Sequence, residues 1–153
     1  MTASTRQRSY TIKEAAALTG LPASTLRYYE SIGVISPISR GASSKHRVYD
    51  EDDLDQLTRI ACLAATGLSV SDMRQYVANS RLGPEAAADQ IALLTAQDAR
   101  LRKEAEHLAL RQQYVRLKID YWQAIDADDE DKAGLVAQRA EKLADALKQT
   151  KRP

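Results

Sequence analysis

The chain of 153 residues has one cysteine, one tryptophan and no phenylalanine, and it contains no long apolar run. The single cysteine, Cys62, excludes an intramolecular disulfide and is too few for a cysteine-rich metal site, so we expect a reducing cytoplasm. No segment is typical of a signal peptide or of a membrane span, and we therefore expect no membrane partner. The core must be built from Leu, Ile, Val, Ala and some of the seven tyrosines.

The net charge of +1 conceals an uneven distribution. Residues 1–49 carry seven basic and two acidic side chains, whereas residues 50–55 carry five acidic ones. A basic end is typical of a nucleic-acid-binding region. We expect residues 1–9 to be a flexible arm, in which Arg6 and Arg8 either follow a phosphate backbone or belong to a disordered tail.

Two short helices are predicted next. Thr11 and Glu14 form a capping box that begins a helix, and this helix stops at Gly20. Only Gly20-Leu21-Pro22 separates it from a second helix that ends at Gly33, so the pattern predicts a helix-turn-helix. On the second helix, Leu26, Tyr29 and Ile32 share a core face. The opposite face carries groups that suit phosphates and base edges, and the candidate DNA contacts of both helices are Thr11, Ser24, Thr25, Arg27 and Tyr28.

Residues 36–48 have the composition of a loop, flanked by the β-favouring runs Val34-Ile35 and Arg47-Val48-Tyr49. This pattern predicts a hairpin wing with the candidate DNA contacts Arg40, Lys45, His46 and Arg47. A solvated surface loop is the alternative. A helix over 50–66, with acidic residues in its first turn, follows. A short helix then begins at the capping box Ser69–Asp72 and ends at a break over 79–84. We assign 10–82 to the DNA-binding domain.

A heptad pattern runs through the predicted long helix, 83–127. Its seam alternates four- and three-residue spacings without a slip through Ala87, Ile91, Leu94, Asp98, Leu101, Ala105, Leu108, Gln112, Val115, Ile119 and Trp122. This pattern predicts a coiled coil that needs a partner helix, with Asp98 and Gln112 fixing its register.

A second apolar stripe, Leu110, Tyr114, Leu117 and Tyr121, lies on another face of the same helix. We expect the C-terminal helix within 128–153 to fold back onto it through Val136, Ala140, Leu143 and Leu147. Tyr114, Tyr121 and Trp122 would then either line a small apolar effector pocket or only fill the core between the helices. The acidic run 126–131 lacks the glycine and ligand spacing of an EF-hand, so we expect helix capping there and neither metal nor cofactor.

The segments Tyr10-Thr11-Ile12-Lys13-Glu14-Ala15-Ala16, Thr25-Leu26-Arg27-Tyr28-Tyr29-Glu30-Ser31-Ile32-Gly33-Val34-Ile35 and Arg47-Val48-Tyr49 together resemble the MerR family of bacterial transcription regulators. The resemblance implies a homodimer joined by an antiparallel coiled coil. It also implies binding to a palindromic promoter element, which the dimer twists so that RNA polymerase can use an overlong spacer. Thr25, Arg27, Tyr28, Arg40 and Arg47 would contact this DNA, which places the protein at the bacterial nucleoid, and Tyr29 would belong to the core.

The metal-sensing branch of the family has cysteines near the end of the long helix, and this sequence has none there. Cys62 is similar in position to the single cysteine of the branch that responds to aldehydes and nitrosative stress. It lies about 130° around its helix from the apolar stripe, which favours the partner subunit or solvent. A packed, inert thiol is the alternative, since free cysteines are often buried.

Two other functions compete with a transcription regulator. An effector-independent architectural DNA-bending protein, similar to an excisionase, would use a similar winged domain but does not need the long helix. An enzyme would need a base beside Cys62 or His46, and neither residue has a nucleophile, base and orienting group around it. We therefore expect a mainly α, non-enzymatic regulator with a winged helix-turn-helix, a long dimerisation helix and a short C-terminal helix, responding to a small molecule or a thiol-reactive stress.

Overall fold

The computed structural model describes residues 7–151, so Arg6 and the rest of residues 1–6 in the predicted arm lie outside the described residues. The described residues form a mainly helical chain that divides into two compact units between Leu94 and Thr95. The predicted fold class is confirmed at this level. The helices are α1 (Ile12–Thr19), α2 (Ala23–Ser31), α3 (Glu51–Ala65), α4 (Val70–Leu82), α5 (Ala87–Asp126) and α6 (Glu130–Gln149), with a 3-10 turn at Gly83–Ala86.

The first unit is a small helical domain with a closed core. Thr11 caps α1 through the predicted capping box, and Gly20 ends the helix in the left-handed conformation, with φ 75°, that glycine adopts without strain. The turn that follows leads directly into α2. The core gathers the inner faces of α1 to α4 and of the segment after α2, and its fully buried larger side chains are Leu26, Val34, Ile35, Tyr49, Leu57 and Met73.

The wing is present, but its strands differ from the prediction. Arg40 and Arg47 form an antiparallel bridge, whereas Val34 and Ile35 are buried in the core. These two residues cannot join the hairpin because both of their N–H groups donate to the Tyr29 carbonyl and close the end of α2, at 2.9 and 3.3 Å. At the other end of the wing, Tyr49 pairs with Tyr10.

The predicted break over 79–84 starts too early, because α4 continues to Leu82 and the chain leaves the α-helix only at the 3-10 turn Gly83–Ala86. Asn79 is buried there, and its amide accepts a hydrogen bond from Gln75 Nε2 and donates one to Gln90 Oε1, at 2.8 and 3.1 Å. The Ser80 hydroxyl donates to the Tyr76 carbonyl one turn earlier. Asn79 and Ser80, which favour a loop by composition, thus have hydrogen-bond partners for their side chains inside a helix.

The second unit contains most of α5 and all of α6. Asp129 caps α6, its side chain accepting from the Lys132 N–H at 3.0 Å, which is the capping role expected for the acidic run. The buried apolar residues of this unit are Ala124, Ala133, Val136 and Ala140. Leu117 and Tyr121 of α5 line one cavity together with Val136 and Ala140 of α6, so the C-terminal helix folds back onto the predicted stripe.

Candidate nucleic-acid interface

The outer face of α2 carries the predicted recognition groups. Leu26 and Tyr29 are buried on the inner face, while Ser24 and Arg27 are exposed and Tyr28 is 52% exposed. The Tyr28 ring leans on Tyr29, with 6.3 Å between the ring centroids. The core therefore fixes α2 from one side and leaves a hydroxyl, a guanidinium and a phenol on the other.

Thr11 and Thr25 take different positions from these exposed groups. The Thr11 hydroxyl accepts a hydrogen bond from the Glu14 N–H at 3.2 Å, so its first role is to cap α1, although its own proton can still be donated to a phosphate. Thr25 is half-buried on α2. Contacts from either residue to DNA stay predictions.

The distal wing places three of its four predicted contact residues in solvent. Gly41 donates to the His46 carbonyl at 2.9 Å, and Arg40 Nη1 donates to the Lys45 carbonyl at 3.2 Å, so the tip closes on itself. Arg40, Lys45 and His46 are all exposed. This arrangement leaves two permanent charges and one imidazole at the end of a short hairpin, where phosphates can approach.

Arg47 is the exception among the wing residues. Its Nε donates to Glu30 Oε1 at 2.7 Å, and the two side chains are only 18% and 15% exposed. Glu30 was missed in the sequence analysis as a site residue. The available signal was its charge, since Glu14 and Glu30 are the two acidic residues among the first 49.

Tyr49 lies beneath this ion pair, at the root of the wing. Its side chain is fully buried, and its hydroxyl has no hydrogen-bond partner among the described residues. Burial raises the pKa of the Tyr49 hydroxyl, and the nearby Arg47 partly opposes that shift. On the neighbouring segment, the Tyr10 hydroxyl donates to Glu51 Oε1 at 2.8 Å, and this hydrogen bond raises the pKa of Tyr10.

The first predicted effector residue, Cys62, is exposed on α3. Within a single chain this thiol is therefore not packed, and its role stays a prediction. Within residues 7–151, no group of three or more His, Cys, Asp or Glu side chains is placed to hold a metal ion.

The aromatic candidates of the second unit lie close together, with 5.4 Å between the ring centroids of Tyr121 and Trp122, but only two of the three line the cavity with α6. Tyr114 and Tyr121 line a cavity of about 490 Å³ between α5 and α6, and Lys118 Nζ lies 5.4 and 5.9 Å from their ring centroids. Trp122 does not line this cavity and is 64% exposed. The prediction that Trp122 packs against the C-terminal helix is wrong. Trp122 follows Tyr121 directly in α5, and successive residues of a helix project from different faces.

Comparison with known proteins places this geometry in a family. Residues 10–80 match the family model of the MerR HTH family regulatory proteins. The chain is 35% identical over 112 residues to a probable heavy metal-dependent transcriptional regulator of Haemophilus influenzae, covering 72% of this chain and 83% of that protein. It is 42% identical over 65 residues to the transcriptional regulator AdhR of Bacillus subtilis, and that match covers 42% of this chain but only 46% of AdhR.

One solved structure has a similar fold across almost the whole chain. It is HiNmlR, a MerR family regulator lacking the sensor domain, determined bound to promoter DNA. The TM-score is 0.66 at 21% sequence identity, with 95% of this chain and 98% of HiNmlR covered. At this identity the likeness establishes the fold alone, an N-terminal helix-turn-helix followed by a long helix.

These matches show that the chain belongs to the MerR family of helix-turn-helix regulatory proteins. Its relatives are transcription regulators and not enzymes, which confirms the expectation from the sequence. Among the described residues, no helix combines the length and the apolar character that crossing a membrane requires.

Proposed function

We propose that this protein is a dimeric transcription regulator that binds a palindromic promoter element and distorts it to control initiation by RNA polymerase. The observation that carries the proposal is the outer face of α2, where Ser24, Arg27 and Tyr28 are exposed while Leu26 and Tyr29 hold the helix to the core. A helix anchored in this way can enter the major groove with its contact groups in fixed positions. The exposed wing residues Arg40 and Lys45 would then bind flanking phosphates.

The proposed dimer uses the predicted seam of α5. Within the second unit, Leu101, Leu108, Val115, Ile119 and Trp122 are each at least 39% exposed, and they recur at heptad spacing over 22 residues. An apolar stripe of about 30 Å, interrupted only by Gln112 of the seam, is far more than scattered surface residues produce. Because the spacing requires a second helix of matching period, we assign a second, antiparallel copy of this chain to it. A two-fold dimer matches a palindromic site.

Selection and sequencing of the DNA fragments bound by the purified protein tests this function. We expect an inverted repeat, and footprinting on a promoter that carries it should change when polymerase is added. Binding without an inverted repeat, or a footprint indifferent to polymerase, would favour the architectural, excisionase-like alternative.

We further propose that regulation acts through one of two sites. The cavity between α5 and α6 offers the rings of Tyr114 and Tyr121 to a small apolar compound, and its volume of about 490 Å³ lies within the usual range of ligand sites. The exposed thiol of Cys62 offers a site for electrophiles. Ligand binding in the cavity, or reaction of the thiol, must favour one dimer conformation over the other to change transcription.

A promoter reporter distinguishes the two sites. Wild type, Cys62→Ser and Tyr121→Ala are exposed to electrophiles and, separately, to small apolar compounds. Loss of the response only in Cys62→Ser identifies the thiol, and loss only in Tyr121→Ala identifies the cavity. A strong response that survives both substitutions contradicts both assignments.

A further inference from the structure

One carboxylate of the DNA-binding unit contacts both arms of the wing. Glu30 lies in the last turn of α2, and its Oε1 accepts from Arg47 Nε at 2.7 Å. Its Oε2 accepts from the Ile38 N–H at 3.4 Å. Ile38 precedes the outgoing strand and Arg47 lies in the returning strand, so the side chain joins the end of α2 to the base of the hairpin.

We infer that Glu30 is a positioning residue, which fixes the wing relative to α2 so that both elements meet the operator as one rigid surface. The inference rests on the proposed DNA-binding function and adds to it a residue that itself need not touch DNA. It also reassigns Arg47 from a DNA contact to the partner of this carboxylate.

The geometry makes this ion pair stronger than an ordinary surface pair. Both side chains are more than four-fifths buried, and the 2.7 Å distance is that of a charge-assisted hydrogen bond. Water and salt screen such a partly buried pair less than an exposed one. The wing is therefore held even at the ionic strength of a cell.

The position of Arg47 determines that of the exposed wing contacts. Arg47 is bridged directly to Arg40 on the opposite strand, and Val48 N donates to the Ser39 carbonyl at 2.8 Å. Beyond this bridge, the hydrogen bonds of the tip, from Gly41 to His46, join residues of the wing to one another. A rotation at Arg47 is therefore carried to Arg40 and Lys45.

A purely electrostatic role of Glu30 and a positioning role predict opposite changes in DNA affinity when its charge is removed, so the direction of the change tests the inference. Glu30 places a negative charge beside a surface proposed to bind phosphates, so its neutralisation should strengthen DNA binding if charge were its only influence. If Glu30 positions the wing, Glu30→Gln weakens binding despite the gain of one positive charge. Glu85→Gln removes the same charge from an exposed site of the same unit and is the matched control.

The experiment uses the full chain and the operator selected by wild type, at one fixed salt concentration. We expect Glu30→Gln to bind about tenfold more weakly while it is still folded at the assay temperature, and Glu85→Gln to bind no more weakly than wild type. Arg47→Lys keeps the charge but loses the Nε donor, and it should weaken binding in the same direction. If Glu30→Gln does not fold, Arg47→Lys replaces it as the test of this ion pair.

A double-mutant cycle separates positioning from a general loss of stability. Once the wing is released, Arg40→Ala should add little to Glu30→Gln, whereas Thr25→Ala on α2 should add its full effect. Unchanged or tighter operator binding by folded Glu30→Gln overturns the inference, and so does full additivity with Arg40→Ala. If wild type itself selects no operator, the proposed function fails first, and the role of Glu30 in DNA binding fails with it.

Discussion

The two units of this protein bury apolar surface in opposite ways. In the first unit, large side chains such as Leu26, Ile35 and Leu57 are fully enclosed. In the second, three of the four buried apolar residues are alanines, and Val136 is the exception. Several larger side chains of the second unit, among them Leu108 and Trp122, are exposed, and others, such as Leu117 and Tyr121, are half-buried.

This contrast gives the two units different roles in the proposed function. Burial stabilises by about 25 cal/mol per Å² of apolar surface, so the first unit supports its own fold and holds α2 in place. The second unit leaves much of its apolar surface exposed, and if the proposed dimer covers it, the stability of this unit should depend on protein concentration. In the proposed function, the self-supporting first unit binds DNA and the second unit mediates association.

The largest effect is expected from charges placed in the seam. Leu101→Asp together with Leu108→Asp would bury unpaired carboxylates in the proposed dimer, and we expect dimerisation to weaken at least about 1000-fold. Sedimentation at micromolar concentration measures it, and tight operator binding should be lost in parallel. Leu135→Asp, at an exposed leucine of α6 outside the seam, is the control and should stay dimeric. A wild-type chain that sediments as a monomer would contradict the contrast between the units.

Substitutions on α2 should have a smaller effect that spares both folding and assembly. Arg27→Ala and Tyr28→Ala each remove an exposed side chain, and loss of one phosphate or base contact costs about 1–3 kcal/mol. Operator affinity at fixed salt should fall accordingly, with an unchanged unfolding temperature. Arg139→Ala, on α6, removes a positive charge elsewhere and should leave the affinity unchanged. Full affinity in both α2 variants would mean that this face does not lie in the groove.

Local signals in the sequence predicted the helix starts well. The side chains of Thr11 and Ser69 each accept from the N–H three residues further on, and each caps the helix that was expected. Heptad spacing likewise predicted the long helix, and the exposure of Leu108 agrees with a face left for a partner.

Contacts between distant residues could not be predicted in the same way. Glu30 meets Arg47 across 17 residues, and Tyr10 pairs with Tyr49 across 39, so no spacing rule connects them. Asn79 is a loop former by composition, and its place in a helix depends on hydrogen bonds to Gln75 and, 11 residues along the chain, to Gln90. Helical periodicity assigns a residue to a face, but it does not say what that face meets.

Tyr49→Phe probes how completely the core of the first unit is satisfied. The Tyr49 hydroxyl is buried without a partner among the described residues, and such a group costs about 1–3 kcal/mol. The variant keeps the ring and removes this cost, so we expect a gain in unfolding free energy of about 1 kcal/mol at neutral pH. Denaturant unfolding of the full chain measures it. A loss of stability would mean that the hydroxyl has a partner in solution.

The smallest expected effect is the pH dependence of the same residue. Burial raises the pKa of folded Tyr49 above its value of about 10 in the unfolded chain, so the folded state holds this proton more tightly. Its contribution to stability is therefore complete below about pH 10 and is lost as the pH rises through the folded pKa. We expect the unfolding free energy of wild type to fall as the pH rises above about 10, and that of Tyr49→Phe to fall less. Tyr10, whose pKa the hydrogen bond to Glu51 raises, accounts for part of the remaining slope, and Tyr10→Phe should reduce it further. Equal slopes of unfolding free energy against pH in wild type and Tyr49→Phe would show that the Tyr49 hydroxyl reaches water in the folded protein. The core of the first unit would then be less closed than the contrast with the second unit implies.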